Sequence, residues 1–109
     1  MAKGKENIDI EQLRKSAGDA CGLLKVLANQ DRLLLLCHMT EGEYCVSDLE
    51  EMTGIRQPTL SQQLTVLREE EMVNTRREGK QIYYSIASKE AMAVMQVLYE
   101  LYCKTEKEK

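Results

Sequence analysis

The side chains best suited to covalent chemistry in this sequence are four cysteines spread along the chain. No two of them have the Cys-X-X-Cys spacing typical of thioredoxin-like sites and zinc ribbons. The segment 1–7 is polar and charged and has no apolar signal-peptide core, so we expect a cytoplasmic protein whose thiols stay reduced, without stable structural disulfides. The four cysteines are Cys21, Cys37, Cys45 and Cys103.

The other groups that do chemistry in proteins are sparse. The only histidine is His38, and the segment 89–103 contains none. Because tetrahedral zinc requires four good ligands, we predict neither a metal site nor a cofactor, although a soft metal could bind Cys37, Cys45 and Cys103 if their sulfurs converged. The sequence shows no phosphate-binding loop or catalytic pair of carboxylates, and we expect no enzyme activity.

A run of uncharged hydrogen-bonding side chains offers a different chemistry, the recognition of DNA bases. Between Arg56 and Leu67 the only charge is that of Arg56, whereas a merely solvated helix face usually carries Lys and Glu. Glutamine can bind adenine through two hydrogen bonds, and serine or threonine can bind bases or phosphates. The predicted DNA-reading residues are Gln57, Thr59, Ser61, Gln62 and Gln63.

A basic group follows this run. Arg76, Arg77 and Lys80, with Gln81, are predicted to contact phosphate, although basic residues also protect the edge strands of sheets. The net charge of −3 argues weakly against nucleic acid as a partner. Because the local charge decides phosphate contact, we retain DNA binding as the prediction.

The hydrophobic spacing predicts the elements that position these residues. A first helix runs from Asp9 to about Ala28, with Asp9 and Gln12 as a capping box. Asn29 caps a second helix over 30–40, whose apolar run predicts burial. Ser47 and Glu50 form the capping box of a short third helix that ends at Gly54, and Pro58 stands in the first turn of a fourth.

A hairpin and a last helix complete the pattern. Residues alternate from Val73 to Arg76 and from Gln81 to Ile86, with a turn at Glu78-Gly79. Ser88 caps a helix that runs to about Cys103, with Tyr102 on its apolar side. The expected fold is mainly α with a β-hairpin wing: a winged helix-turn-helix whose fourth helix enters the major groove.

Oligomeric state and domain limits follow from the same pattern. The first and last helices retain apolar surface, so we expect a homodimer formed through these two helices. The predicted domain covers residues 9–104, with flexible tails at 1–8 and 105–109. No apolar run approaches the roughly 18 residues of a membrane span, and we expect no membrane partner.

Three stretches of the chain carry a resemblance to known proteins: LKVLANQDRLLLLCHM, RQPTLSQQLTVLREEEMV and TRREGKQIYYSI. Together they resemble one family, the ArsR/SmtB winged-helix repressors. The resemblance extends from about Cys21 to Cys103. Many family members have Ser-Gln-His-Leu where this chain has Ser61 to Leu64, Ser-Gln-Gln-Leu, which leaves the operator sequence open.

Cys37 and Cys103 also resemble the cysteine pair of the sulfide-responsive SqrR/BigR branch of that family. The resemblance implies a dimeric repressor. Its two reading helices would lie about one DNA turn apart, so we expect it to bind an inverted-repeat operator in double-stranded DNA. Reactive sulfur species, persulfides or polysulfides, would link the two cysteines and release sulfide-detoxification genes. A metal-responsive or peroxide-responsive repressor is the alternative. One metal site of the family uses Cys-Val-Cys, where this chain has Cys45-Val46-Ser47 and so lacks one thiolate.

The sequence gives the individual thiols different expected surroundings. Cys37 follows Leu33 to Leu36, which favours a buried position as a small hydrophobe. Cys103 ends an apolar helix ahead of charged residues and should be accessible to solvent. Cys21 is expected to serve core or dimer packing, and Cys45 to fill space or act as a secondary reactive thiol.

Overall fold

A computed structural model describes residues 9–104 of the chain. The predicted flexible tails, 1–8 and 105–109, lie outside the described residues. Within 9–104, no helix is both long and apolar enough to cross a membrane.

The first two helices are α1, Ile10–Leu27, and α2, Gln30–Met39. The Asn29 side chain accepts a hydrogen bond of 3.0 Å from the backbone N–H of Arg32, which confirms the predicted cap of α2. Asp9 occupies the N-cap of α1, but its side chain makes no capping hydrogen bond, so the predicted capping box is wrong. This first turn is exposed, and water can satisfy its N–H groups.

Helix α3 spans Val46–Thr53. Its N-cap is Cys45, two residues before the predicted cap at Ser47. Tyr44–Cys45 form a short strand, β1, and the extended chain ends at Cys45, which therefore takes the N-cap position. The Cys45 N–H donates to Oδ2 of Asp48 over 3.3 Å. Gly54 ends the helix with φ of 78°, as predicted from its freedom to adopt the left-handed conformation.

Helix α4, Thr59–Glu69, has Pro58 at its N-cap, one residue before the predicted position in the first turn. Leu60, Leu64 and Leu67 are buried on one face, as the helical spacing predicted. The short connection from α3 to α4 gives the helix-turn-helix.

The wing is a hairpin of β2, Val73–Glu78, and β3, Gln81–Ile86. Glu78 pairs with Gln81, so the loop is Gly79-Lys80 rather than the predicted Glu78-Gly79. Gly79 has φ of 65°, as a tight hairpin turn requires. Strand β1 pairs antiparallel with β3 and completes a sheet in the order β1-β3-β2.

The C-terminal helix is divided. Helix α5, Lys89–Leu98, starts at Ser88, whose hydroxyl accepts from the Ala91 N–H over 3.0 Å. A wider π-helical segment, Tyr99–Lys104, replaces the predicted continuation of the same helix. Because a π-turn changes the angular spacing of side chains, Tyr102 leaves the apolar side on which it was predicted and is 74% exposed.

The core lies around α2. Leu35 and Leu36 of this helix are fully buried against residues of α3 and α4. The prediction of a buried α2 holds for one side only, since Leu34 is 37% exposed. Large apolar side chains remain exposed on α1 and the C-terminal helix, as predicted: Ile10, Leu13, Leu24, Val97, Tyr99, Leu101 and Tyr102.

Candidate functional site

The thiol of Cys37 faces outward from α2 towards α5. Its side chain is exposed, so the expectation of a buried small hydrophobe is wrong. Leu35 and Leu36 enter the core, and the helical turn of about 100° per residue carries Cys37 away from it. The Sγ atom lies 3.8 Å from Sδ of Met95, which places it at the contact between the two helices.

A second thiol, that of Cys103, contributes to the pKa of Cys37. Although the side chain remains accessible to solvent, partial desolvation of the thiol raises this pKa above its ordinary value, and the negative charge of the Cys103 thiolate raises it further. Cys103 lies in the π-helical segment and is exposed, as predicted. Cys37 and Cys103 therefore lie on two elements, α2 and the C-terminal helix, that are in contact through Cys37 and Met95.

A cleft of about 480 Å³ opens beside Cys37. This volume lies in the range of clefts that hold small molecules. A low-molecular-weight sulfur compound could therefore reach the Cys37 sulfur from this side. The lining residues are Cys37, Thr40, Glu41, Met95, Gln96, Tyr99 and Glu100.

The other two thiols differ from this pair. Cys45 is 5% exposed, and its Sγ lies 3.3 Å from the Ser47 hydroxyl. Cys21 is exposed on α1, so its predicted role in the core is wrong, whereas a role in dimer packing stays a prediction. Among residues 9–104, no three His, Cys, Asp or Glu side chains form a cluster able to hold a metal ion.

The predicted DNA-reading residues divide into two groups. Thr59, Ser61 and Gln62 are exposed near the start of α4. Gln57 is also exposed, but its Oε1 accepts from the Ser61 N–H over 3.1 Å and so caps the helix. Gln63 is half-buried and accepts a hydrogen bond within the chain.

The donor to Gln63 is Arg32 of α2. Its Nη1 donates to Oε1 of Gln63 over 2.9 Å, and its Nε donates to the carbonyl oxygen of Val26 over 2.7 Å. This contact could not be predicted from the sequence, because Arg32 and Gln63 lie 31 residues apart and no periodic pattern connects them.

The basic residues of the wing differ in whether they are paired with carboxylates. Arg76 forms ion pairs with Glu43 at 2.9 Å and with Glu78 at 2.7 Å, and its guanidinium lies 5.0 Å from the centre of the Tyr83 ring. Hydrogen bonds from Arg76 lower the pKa of the Glu43 carboxyl. Arg77, Lys80 and Gln81 are exposed, and within residues 9–104 the side chain of Arg77 makes one long hydrogen bond of 3.4 Å, to the Gly79 carbonyl. Glu43 is a partner of the wing that the sequence did not predict.

Several known proteins are similar to this chain. The model of a family of bacterial regulatory proteins, the arsR family, matches residues 29–75. The Biofilm growth-associated repressor of Xylella fastidiosa is 46% identical over 98 residues, which cover 90% of this chain and 86% of the relative. The crystal structure of the transcriptional repressor BigR from Xylella fastidiosa has a TM-score of 0.81 and 45% identity, covering 88% of this chain and 98% of that chain.

Two further solved structures are also similar to this chain. Reduced HlyU from Vibrio cholerae has a TM-score of 0.81 and 36% identity, over 85% of this chain and 98% of that chain. A homodimeric winged helix-turn-helix DNA-binding domain from Mycobacterium bovis has a TM-score of 0.70 and 28% identity, over 88% of this chain and 91% of that chain.

Proposed function

The chain belongs to the arsR family of bacterial regulatory proteins and is a DNA-binding transcriptional repressor rather than an enzyme, and from this premise we propose that reactive sulfur species control it through Cys37 and Cys103. When the two cysteines are bridged, the repressor releases an inverted-repeat operator and derepresses genes for sulfide detoxification.

The observation that carries the proposal is a shared cleft: Cys37 lines it together with Tyr99 and Glu100, which belong to the same π-helical segment as Cys103. The Cys37 Sγ lies 3.8 Å from Sδ of Met95 in the C-terminal helix, and partial desolvation together with the negative charge of Cys103 raises the pKa of Cys37. A cleft beside Cys37 gives a small sulfur compound access. The similar protein HlyU from Vibrio cholerae has a solved structure of its reduced form, which supports redox sensitivity in a relative of this chain.

The bridging chemistry balances with a trisulfide as the sulfur donor. One cysteine thiolate attacks the central sulfur of glutathione trisulfide, breaks one sulfur–sulfur bond and releases one glutathione thiolate. The second cysteine attacks the resulting mixed polysulfide and displaces the second glutathione. Two protein thiols are oxidised, the trisulfide is reduced to two glutathiones, and the central sulfur remains between Cys37 and Cys103.

We propose that the repressor is a homodimer that uses two reading helices. Exposed apolar side chains on α1 and the C-terminal helix would pack against their copies. A related domain from Mycobacterium bovis is described as homodimeric, which supports this assembly. Two copies of α4 about one DNA turn apart fit an inverted repeat. Thr59, Ser61 and Gln62 would contact base edges, and Arg77, Lys80 and Gln81 the backbone.

The test compares four treatments of the reduced protein on an operator selected from random DNA. Glutathione trisulfide should raise the mass by about 30 Da, one sulfur gained and two hydrogens lost, and should release the DNA. Hydrogen peroxide, oxidised glutathione and zinc should each leave the affinity within about twofold. Release by zinc alone, or by peroxide as readily as by the trisulfide, would overturn sulfur sensing.

The wing supplies a separate prediction about salt dependence. Replacing Arg77 with Gln should reduce the slope of log affinity against log salt by about 0.9, because one phosphate contact and its released counterion are lost. Arg76→Gln should change this slope less, since Glu43 and Glu78 already neutralise Arg76. Titrations at several salt concentrations measure both slopes, and an equal loss in the two variants would contradict the assignment.

A further inference from the structure

The contact between Arg32 and Gln63 joins the helix that carries Cys37 to the reading helix. We propose that Arg32 is a positioning residue that transmits bridging at Cys37 to α4 through Gln63, and that Gln63 serves this contact rather than reading a base. The inference rests on the proposed dithiol switch and names the path by which it acts.

The hydrogen-bond geometry argues that Gln63 is held by α2. Because an arginine can only donate, the Gln63 atom that faces it must be the amide oxygen, Oε1. Glutamine reads adenine by using its oxygen and its nitrogen together on the same base. With Oε1 turned towards Arg32 and the side chain half-buried, this paired geometry is not available to Gln63.

The guanidinium of Arg32 holds two other elements to the start of α2. Nε donates to the Val26 carbonyl near the end of α1 over 2.7 Å, and Nη1 donates to Gln63 over 2.9 Å. Charge-assisted hydrogen bonds of this length are stronger than neutral ones. Arg32 therefore connects α1, α2 and α4 at one point.

Close packing of its inner side makes α2 a rigid helix. Leu35 and Leu36 are fully buried, and Met39 is 2% exposed, so the helix cannot deform without disturbing the core. Cys37 lies five residues after Arg32, about 7.5 Å along the helix axis. A bridge from Cys37 to Cys103 pulls on one end of this helix, and the displacement reaches Gln63 through the guanidinium at the other end.

The test measures the ratio of operator affinities before and after bridging. In the unaltered protein this ratio should be about 30. Gln63→Met keeps the approximate side-chain volume and removes the hydrogen-bond acceptor. Arg32→Lys keeps the positive charge and removes the guanidinium, which donates to Val26 and Gln63 at the same time. Each variant should lower the ratio to less than about 5. The double variant should lower it no further, because both substitutions remove the same contact, that between Arg32 and Gln63.

Gln62→Met is the matched control, the same change at the neighbouring exposed position. It should weaken binding by the reduced protein and relax preference at one base pair, while the ratio stays near that of the unaltered protein. Gln63→Met should leave base preference unchanged. If Gln63→Met instead relaxes preference at a base pair and keeps the full ratio, Gln63 reads DNA and the inference is wrong.

A resonance of Arg32 provides a readout that does not depend on DNA. Its Nε–H signal in NMR spectra should shift on bridging in the unaltered protein and should stay fixed in Cys103→Ser treated in the same way. An unchanged Arg32 signal in a protein that has released its DNA overturns the inference while the dithiol switch stands. If bridging releases no DNA from the unaltered protein, the proposed function and the inference both fail.

Discussion

Replacing either Cys37 or Cys103 with serine is expected to leave the operator affinity of the reduced protein unchanged and to abolish its release by glutathione trisulfide. In the unaltered protein, bridging should weaken binding about 30-fold, which corresponds to about 2 kcal/mol. A single remaining thiol can form a mixed polysulfide but cannot join α2 to the C-terminal helix. Both side chains are exposed, so serine should fit at either position without a cavity.

Cys21→Ser is the control for this prediction, because Cys21 is another exposed cysteine, on α1. It should release DNA as the unaltered protein does. Fluorescence anisotropy with a labelled operator, before and after treatment, measures all three variants. If treatment still lowers the operator affinity of Cys37→Ser or Cys103→Ser about 30-fold, one modified thiol is sufficient and the bridge is not the switch.

Leu13→Asp is expected to separate the proposed dimer into monomers and to weaken operator binding at least about 100-fold, or about 2.7 kcal/mol. Leu13 is 53% exposed on α1, within the apolar surface that would pack against the second copy. A carboxylate buried in such an interface loses its hydration without gaining a partner. A monomer would also bind only half of an inverted repeat.

Gln12→Asp introduces the same charge at the preceding residue and is the control for Leu13→Asp. It should remain dimeric, since residue 12 points about 100° away around the helix. Sedimentation velocity gives the oligomeric state, and titration of full and half operators gives the affinity. A Leu13→Asp protein that stays dimeric and binds the full operator tightly would place the dimer interface elsewhere.

Local signals in the sequence predicted the main elements well. Asn29 and Ser88 cap their helices as expected, because a cap depends only on a side chain and the N–H groups of the following turn. Gly54 ends its helix for an equally local reason, its backbone freedom. Leu60 and Leu64 are buried as their spacing predicted, since one face of an amphipathic helix must meet the core.

Features that depend on distant residues could not be predicted in this way. Strand β1 is two residues long, too short to show alternation, and it exists because β3 pairs with it. The start of α3 at Val46 follows from that pairing. The partners of Arg76 include Glu43, 33 residues away, and their proximity arises only after the sheet has formed.

The DNA-reading and wing residues show the same division. Residue type identified a polar face on α4, but it could not reveal that Gln57 caps the helix or that Arg32 holds Gln63. Similarly, the sequence identified three basic residues near the wing turn without indicating that Arg76 is paired with two carboxylates. For Cys37, the apolar neighbours pointed to burial, whereas its angular position on α2 directs the sulfur to the surface.

The most direct test follows bridging and DNA release in the same samples. Reduced protein is titrated with glutathione trisulfide, and each aliquot is divided between an operator-binding assay and mass spectrometry of non-reduced peptides. The fraction of Cys37 found linked to Cys103 should rise in step with the fraction of protein that has lost high-affinity binding. Release without the linked peptide, or full linkage with the affinity unchanged, would contradict the account.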